Sequence, residues 1–379
     1  MLFTESDHQY MTLAIELAAR GRFTTTPNPN VGCVIVKNNT ILGQGWHKKA
    51  GTGHAEVNAL VDLDIEQSSG ATAYVTLEPC SHFGRTPPCA RKLIEAGIKT
   101  VVIAMLDPNP LVAGKGVALL EQAGIKVKTG LLESQARQLN LGFLSRMEKN
   151  KPFISVKLAS SLDGKTALKN GESKWITGPK ARSDVQTFRA QSCAILSSAV
   201  SVIRDNAKLN VRSEQLNFDY PLDQYDGEIR QPIKIILDGK NRITAKSIAQ
   251  LALFDGKTDV IIVRPSKSND FANVDYVTEL VISYDDVDGF HLSELVSWCG
   301  ANEINNLWIE AGGRLSASFI EQDLFDQLVV YIAPKIMGAG AQELLPIGPF
   351  ESMVDVKELQ VQSTMTVGSD LKVILSNTI

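Results

Sequence analysis

The sequence predicts an α/β protein in two domains, the first of them a helix–sheet–helix sandwich. Three observations lead there. Two β-like runs near the start flank a short polar turn and are followed by alternating strand and helix patterns. Four of the five histidines and three of the five cysteines fall before residue 150. A polar stretch ending in proline, Arg146–Pro152, interrupts the pattern, and proline disfavours helix at the residue before it. A length of 379 residues suits two or three domains of roughly 150 residues each. The expected division is 1–147 and 148–379.

In the first segment, Ser6-Asp7-His8-Gln9 resembles a capping box opening a helix that carries Leu13, Ile15, Leu17 and Ala18. Val31–Val36 and Ile41–Gly45 read as a hairpin around Lys37-Asn38-Asn39-Thr40. A helix from about His54, a strand at Thr72–Thr76, a helix from about Cys89 and a strand at Thr100–Met105 follow. Gly114–Ala123 reads as helix, Ile125–Lys128 as a short strand, and Glu133 to about Met147 as one helix. In the second segment Phe153–Leu158, Ile233–Leu237, Val260–Val263, Leu307–Glu310 and Leu328–Ala333 are short apolar runs, as buried strands are. Val373 and Leu375 alternate in a terminal hairpin, and the polar stretch from Arg212 to Pro232 reads as a surface excursion.

Composition narrows the function. Hydrophobic residues make up 44% and charged residues 21%, the profile of a folded globular chain. The net charge of −4 argues against a nucleic-acid-coating role. Residues 1–147 hold 14 bases and 12 acids, residues 148–379 hold 24 and 30. No apolar run approaches the ~20 residues of a membrane helix. The acidic start, MLFTESDHQY, does not read as a signal peptide, and five cysteines do not form a disulfide framework. A cytoplasmic location without membrane partners is expected. Cys33, Cys193 and Cys299 read as small buried hydrophobes, and His8 as exposed.

The sharpest signal is His54-Ala55-Glu56, Glu78-Pro79-Cys80 and Pro88-Cys89. A catalytic zinc takes three protein ligands and leaves one position for water; His54, Cys80 and Cys89 supply the three. Water held there becomes acidic, with a pKa that can approach about 7. Glu56, two residues from a ligand, is placed to move its proton to a leaving amine. The pattern matches the nucleobase-deaminase signature H-x-E…P-C-x-x-C, with one departure: eight residues separate the cysteines instead of two. A helix across that gap would hold them about 13 Å apart, and Pro87-Pro88 forbids it. The segment is therefore expected to loop out, with His82, Arg85 and Thr86 at the pocket rim. His47 is either a fourth ligand or, as preferred here, a substrate contact.

The stretches Thr26-Pro27-Asn28-Pro29-Asn30-Val31-Gly32, His54-Ala55-Glu56, Thr76–Cys89, Asp107-Pro108-Asn109-Pro110 and Gly114-Lys115-Gly116 closely resemble the bifunctional riboflavin-biosynthesis deaminase–reductase family, whose cysteine gap is also eight. The resemblance covers nearly the whole chain. It implies a cytidine-deaminase-like three-layer α/β/α domain followed by a dihydrofolate-reductase-like α/β domain. It also implies zinc-dependent hydrolysis of the 2-amino group of 2,5-diamino-6-(5-phosphoribosylamino)pyrimidin-4-one. By the same resemblance Asn28, His47, His82, Arg85, Asp107 and Asn109 hold this pyrimidine ribose phosphate. Asp107 and Asn109 read equally well as turn residues.

In the second segment, Leu307–Ser316 reads as a strand, a glycine pair and a helix start; its exposed amides suit a pyrophosphate. With Ser160–Lys165 and Glu172–Thr177 it resembles the family's NADPH-dependent reductase, which reduces the ribosyl side chain. The resemblance places Ala159, Trp175, Ser201, Asp205, Gly239, Gly312, Gly313, Arg314, Leu315, Ser316, Ala317 and Ser318 at the cofactor. It places Lys157, Ser173, Arg189, Leu209, Arg212 and Glu310 at the substrate, the two arginines suiting its phosphate. Trp175 reads as either cofactor wall or core. The family tends to self-associate, so a homo-oligomer, dimer or tetramer, is expected. The competing readings are a tRNA deaminase carrying an unrelated tail, a zinc-stabilised module without catalysis, and a chain active only in its first half.

Overall fold

A computed structural model describes residues 3–81, 88–109, 113–216, 229–287 and 289–377. The chain divides after Asn150 into two compact units, the second holding Lys151–Asn217 and Gln231–Ile379. Among the described residues no helix is long and apolar enough to cross a membrane.

The first unit opens with α1 (Glu5–Ala19). Its capping box is Thr4 with Asp7, not the Ser6–Gln9 box expected from sequence: Thr4 N–H donates to Asp7 at 2.9 Å and Asp7 N–H to Thr4 Oγ1 at 3.1 Å. Asp7 is buried and also accepts from Tyr74 OH at 2.7 Å, so the helix starts two residues earlier than its polar pattern suggests. Strands β1 (Gly32–Lys37) and β2 (Thr40–Trp46) form the hairpin. Asn38 and Asn39 take φ of 52° and 61°, the left-handed conformation that a two-residue hairpin turn needs and asparagine tolerates. Then come α2 (Ala55–Leu60), α3 (Ile65–Ser68), β3 (Thr72–Leu77), α4 (Cys89–Glu95), β4 (Thr100–Met105), α5 (Lys115–Gln122) and β5 (Lys126–Thr129). The helix expected from Glu133 to Met147 is two helices, α6 (Glu133–Gln138) and α7 (Leu141–Lys149). Asn140 breaks it: its side chain leaves the helix register to accept from Asn30 N–H at 2.7 Å and donate to Asn30 O at 2.9 Å.

The sheet order is β2-β1-β3-β4-β5, with β1 antiparallel to both neighbours and β3, β4 and β5 parallel. One face packs Met11 and Leu17 of α1 and Phe143 of α7 against Tyr74 and Val102. The other packs Ala55, Ala59, Leu93 and Leu120 against Ile35, Val75 and Ile103. This is the three-layer α/β/α sandwich. Glycines set how closely the helices lie: a Cβ on Gly32 would fall 1.9 Å from Ala14 O, and one on Gly45 2.4 Å from Ala59 N.

The second unit is built on β6 (Phe153–Ser161), followed by β7 (Lys165–Ala167), α8 (Pro179–Gln191), β8 (Ala194–Ser198), α9 (Ala199–Asp205), β9 (Ile233–Leu237), β10 (Val260–Arg264) and β11 (Val277–Val281). After these come β12 (Tyr284–Asp285), β13 (Gly289–Phe290), α10 (Leu292–Ala301), β14 (Asn306–Ile309), α11 (Gly313–Glu321), β15 (Gln327–Ala333), β16 (Gln342–Glu343), β17 (Leu359–Val367) and β18 (Asp370–Asn377). Nine strands form one sheet in the order β11-β10-β9-β8-β14-β6-β15-β18-β17. Seven run parallel, and the terminal hairpin β17–β18 closes antiparallel onto β15. Strand β8 is missing from the strands read in the sequence, although all five of its residues but Ser198 are buried. The expected surface excursion lies mostly outside the described residues.

Candidate active sites

The first site gathers at the ends of α2, β3 and α4. His54 is the N-cap of α2, which puts Glu56 in the first turn, buried. Cys80 follows β3, and Cys89 opens α4. Their donor atoms lie within 4.8 Å of one another, the one such metal-binding group among the described residues. His54 Nδ1 is 3.2 Å from Cys89 Sγ and 3.7 Å from Cys80 Sγ. Zinc bonds of about 2.1 Å to nitrogen and 2.3 Å to sulfur put tetrahedral neighbours about 3.6 Å apart, close to both of these nitrogen–sulfur distances, so the donor set suits zinc.

The surrounding electrostatics suit a thiolate and a shuttling acid. The Cys80 thiol is held low by its hydrogen bond from Cys89, with His54 adding to the effect. Cys89 N–H, at the helix start, donates to Cys80 Sγ at 3.3 Å; helix N-termini favour thiolates. Cys89 is pushed up as the partner that keeps the shared proton. The hydrogen bond to Cys80 raises the His54 imidazole. Burial pushes the Glu56 carboxyl up, and the neighbouring Cys80 sulfur reinforces this.

Of the expected substrate contacts, Asn28 and His47 meet each other: Asn28 Nδ2 lies 3.0 Å from His47 Nε2, and His47 Nδ1 lies 3.2 Å from Gly53 O. Burial lowers the His47 pKa, which favours a neutral ring. A neutral ring protonated at Nδ1 donates to Gly53 O and accepts from Asn28. His47 stands edge-on to His54, centroids 5.3 Å apart, but outside the metal-binding group. Asn109 N–H donates to Asp107 Oδ1 at 2.9 Å, an Asx turn. His82 and Arg85 lie outside the described residues.

Glu78 is a residue whose role the sequence reading missed, although it sits inside the Glu-Pro-Cys motif. Its buried carboxylate accepts from the backbone N–H groups of Asp107, Gly114, Gly116 and Val117 at 2.9–3.3 Å. It thereby caps α5 and ties the Asp107 loop to the segment carrying Cys80.

The second site is a cleft of about 1120 Å³ at the C-terminal ends of the parallel strands, where ligands bind in open parallel sheets. It exceeds the usual small-ligand pocket and so has room for a dinucleotide and a sugar phosphate together. All six expected substrate contacts line it: Lys157, Ser173, Arg189, Leu209, Arg212 and Glu310. Of the expected cofactor contacts, Ala159, Trp175, Ser201, Asp205, Gly312, Gly313, Arg314 and Leu315 line it as well. Trp175 is 63% exposed, with the Arg182 guanidinium 4.4 Å from its ring centroid, so it is not core. Gly239 and Ser318 line a smaller depression beside it. Ser316 and Ala317 are buried under the start of α11, outside both linings. Ser316 Oγ has no hydrogen-bond partner, a polar orphan beside the Gly-Gly turn that fits an anionic ligand.

Glu310 is the charged centre of the cleft. Arg189 Nε donates to its Oε1 at 2.6 Å and Nη2 to its Oε2 at 2.7 Å, while Trp308 Nε1 donates to Oε1 at 2.8 Å. Burial alone would raise this carboxyl, but Arg189 overrides it and holds it at about 2. Arg189 Nη1 donates to Asn210 O at 2.9 Å, so every edge of its guanidinium is engaged. Burial lowers the Lys157 ammonium against the opposing pull of Glu310. Tyr331 also lines the cleft, its OH donating to Asp184 at 2.6 Å. It lay hidden in an apolar run.

Comparison with known proteins finds both a deaminase and a reductase family in the chain. Residues 4–105 match the cytidine and deoxycytidylate deaminase zinc-binding region, and residues 152–373 match the RibD C-terminal domain. The riboflavin biosynthesis protein RibD of Haemophilus influenzae is 45% identical over 98% of this chain and 97% of its own. That of Escherichia coli is 46% identical over 96% and 98%. Among solved structures, Acinetobacter baumannii RibD aligns with a TM-score of 0.89 at 41% identity, covering 99% of each chain. A Thermotoga maritima diaminohydroxyphosphoribosylaminopyrimidine deaminase/5-amino-6-(5-phosphoribosylamino)uracil reductase aligns at 0.83 and 32%, covering 98% of this chain and 99% of its own.

Proposed function

The chain belongs to the bifunctional riboflavin-biosynthesis deaminase–reductase family, and from that premise we propose which of its residues carry each reaction. The first unit hydrolyses the 2-amino group of 2,5-diamino-6-(5-phosphoribosylamino)pyrimidin-4-one to a carbonyl and ammonia. The second reduces the ribosyl side chain to give 5-amino-6-(5-phosphoribitylamino)uracil. The division of labour follows the two units, with the boundary near residues 147–150.

His54, Cys80 and Cys89 hold the zinc, which when bound acidifies a water next to the pyrimidine. The observation that carries this half is the buried Glu56 beside those donors. Its carboxylate takes a proton from that water at one oxygen and delivers it to the departing amine nitrogen. Asn28, with Nδ2 given to His47, presents Oδ1 to a ring N–H. His82, Arg85, Asp107 and Asn109 complete the contacts to base and ribose phosphate.

NADPH, when bound, supplies the hydride for the second reaction. Ala159 and Trp175 flank the nicotinamide, Ser201 and Asp205 the adjoining ribose, and the Gly312-Gly313 turn at the start of α11 takes the pyrophosphate. Glu310, held ionised, accepts hydrogen bonds from the sugar hydroxyls and does not donate a proton. Arg189 is spent on orienting Glu310, so Arg212 takes the phosphate. Lys157, on the same face of β6 as Ala159, lies between substrate and cofactor. The substrate is a small molecule, the protein works in the cytoplasm without nucleic acid, and it self-associates as a homo-oligomer.

The test follows ammonia release and NADPH oxidation with the purified protein on the pyrimidine ribotide, beside a tRNA anticodon stem. The expected result is ammonia from the ribotide alone, followed by NADPH consumption. Deamination of the tRNA and not the ribotide, or no NADPH consumption when the deaminated intermediate is supplied, would overturn the assignment.

A further inference from the structure

The loop that leads from the end of β2 to His54 carries His47, and one side chain closes it. Asn58 sits one turn beyond His54 on α2, its own N–H donating to His54 O at 3.0 Å. Its side-chain Nδ2 donates to two main-chain carbonyls, Trp46 O at 2.8 Å and Gly53 O at 3.1 Å. Trp46 ends β2 and Gly53 directly precedes His54, so a single amide clasps both ends of the loop. Both partners are carbonyls, which only accept, so the NH2 end of the amide must face them. The backbone lies close against it: a Cβ on Gly53 would fall 2.7 Å from Asn58 Oδ1.

Gly53 O is shared between Asn58 and His47, whose Nδ1 lies 3.2 Å away. Because a carbonyl brings no proton, His47 Nδ1 must carry one. A neutral ring then has only the Nε2 lone pair left, and Asn28 Nδ2, 3.0 Å away, must donate to it. His47 is buried, so water does not readily stand in for either partner. Each bond in the row Asn58–Gly53–His47–Asn28 thus fixes the direction of the next. The row ends with Asn28 Oδ1 free of His47 and able to accept.

We infer that Asn58 is a positioning residue for the deaminase substrate. It acts through others: it holds Gly53 O where that oxygen fixes the His47 tautomer, and the tautomer fixes which end of the Asn28 amide meets the pyrimidine. The inference rests on the reading of Asn28 and His47 as substrate contacts and adds what sets their polarity. With the clasp lost, His47 is free to carry its proton on Nε2 and Asn28 turns over to accept it. The site then offers the ring N–H a donor in place of an acceptor.

The test uses the full zinc-loaded chain and reads ammonia release from the pyrimidine ribotide, zinc content by atomic emission, and the His47 tautomer by nitrogen NMR of histidine-labelled protein. Asn58→Asp keeps the shape but turns carboxylate oxygens towards the two carbonyls, and Gly53→Ala leaves the amide in place and pushes it aside with a methyl group. Two neutral hydrogen bonds, each contributing about twofold to tenfold, should raise KM about tenfold in either variant, with kcat changed less than about threefold and zinc still near one per chain. The His47 signal should be Nδ1–H in wild type and move towards Nε2–H in both variants. NADPH consumption with supplied deaminated intermediate should stay unchanged, reporting an intact second unit. An unmoved KM and tautomer in Asn58→Asp, an Nε2–H ring in wild type, or loss of zinc and kcat together overturns the inference. Asn28→Ala separates it from the reading beneath it. A raised KM there beside a wild-type KM in Asn58→Asp sinks this inference alone, whereas an unmoved KM in Asn28→Ala removes the substrate reading of Asn28 and this inference with it.

Discussion

Replacing Glu310 by glutamine keeps its shape and removes one charge from a buried pair. Both partner side chains are only 13% exposed, so water screens the pair little. The carboxyl is held at about 2, against 4.5 for an unhindered one, and at about 1.4 kcal/mol per pH unit this gap corresponds to about 3 kcal/mol. The magnitude agrees with the roughly 3–5 kcal/mol lost when one partner of a buried ion pair is removed. The folded value lies below the unfolded one, so the contribution is complete above about pH 4.5 and vanishes as pH falls towards about 2. Glu310→Gln should therefore unfold in urea with about 3 kcal/mol less stability than wild type at pH 7, and the two should converge as pH falls from about 4.5 towards about 2. Tryptophan fluorescence is a direct reporter, because Trp308 donates to the carboxylate. A difference below about 1 kcal/mol at pH 7, or one that stays constant down to pH 3, would refute the reasoning.

Other perturbations follow from the first unit. Glu56→Gln should lower ammonia release by a factor on the order of 10² to 10⁴ while zinc content, read by atomic emission, stays near one per chain. Cys80→Ser should lose zinc and ammonia release together while leaving NADPH binding in place, checked by emission and fluorescence titration. Glu78→Gln turns an amide NH2 towards two of the four N–H groups its carboxylate accepts. At about 1–3 kcal/mol for each buried donor left unpaired, it should cost about 2–6 kcal/mol in urea unfolding of the first unit. A cost under about 1 kcal/mol would mean that the Asp107 loop is held by something else.

The deaminase centre was readable in the sequence because its chemistry is local. His54 and Glu56 share one helix start, and Cys80 and Cys89 are fixed by the end of a strand and the start of a helix. The resemblance supplied the cleft residues of the second unit, but not how they divide the work. Arg189 and Arg212 look alike as residues. They are separated only by a contact 121 positions away, where Arg189 meets Glu310. Asn140, an ordinary polar residue in a helical pattern, breaks its helix because Asn30, 110 residues earlier, offers both a donor and an acceptor. Strand β8 was hidden because Ala194, Ser197 and Ser198 leave it only two large apolar residues, Ile195 and Leu196, and Tyr331 read as one more apolar strand residue because its partner Asp184 lies on a distant helix.

Lys157 and Ala159 come from one strand that is clamped on both sides: β14 pairs with it through Val156, and β15 pairs with Lys157 and Ala159 themselves. Their separation is therefore two steps of an extended backbone, about 7 Å, whatever the side chains around them do. Evolution can lengthen the surrounding loops without moving one of these positions against the other. A slip of one residue in that strand, by contrast, would swap the ammonium for Val156 or Leu158 and turn the face that lines the cleft to hydrocarbon. The ruler between these two positions is built into the pleat, and only a change in pairing can recalibrate it.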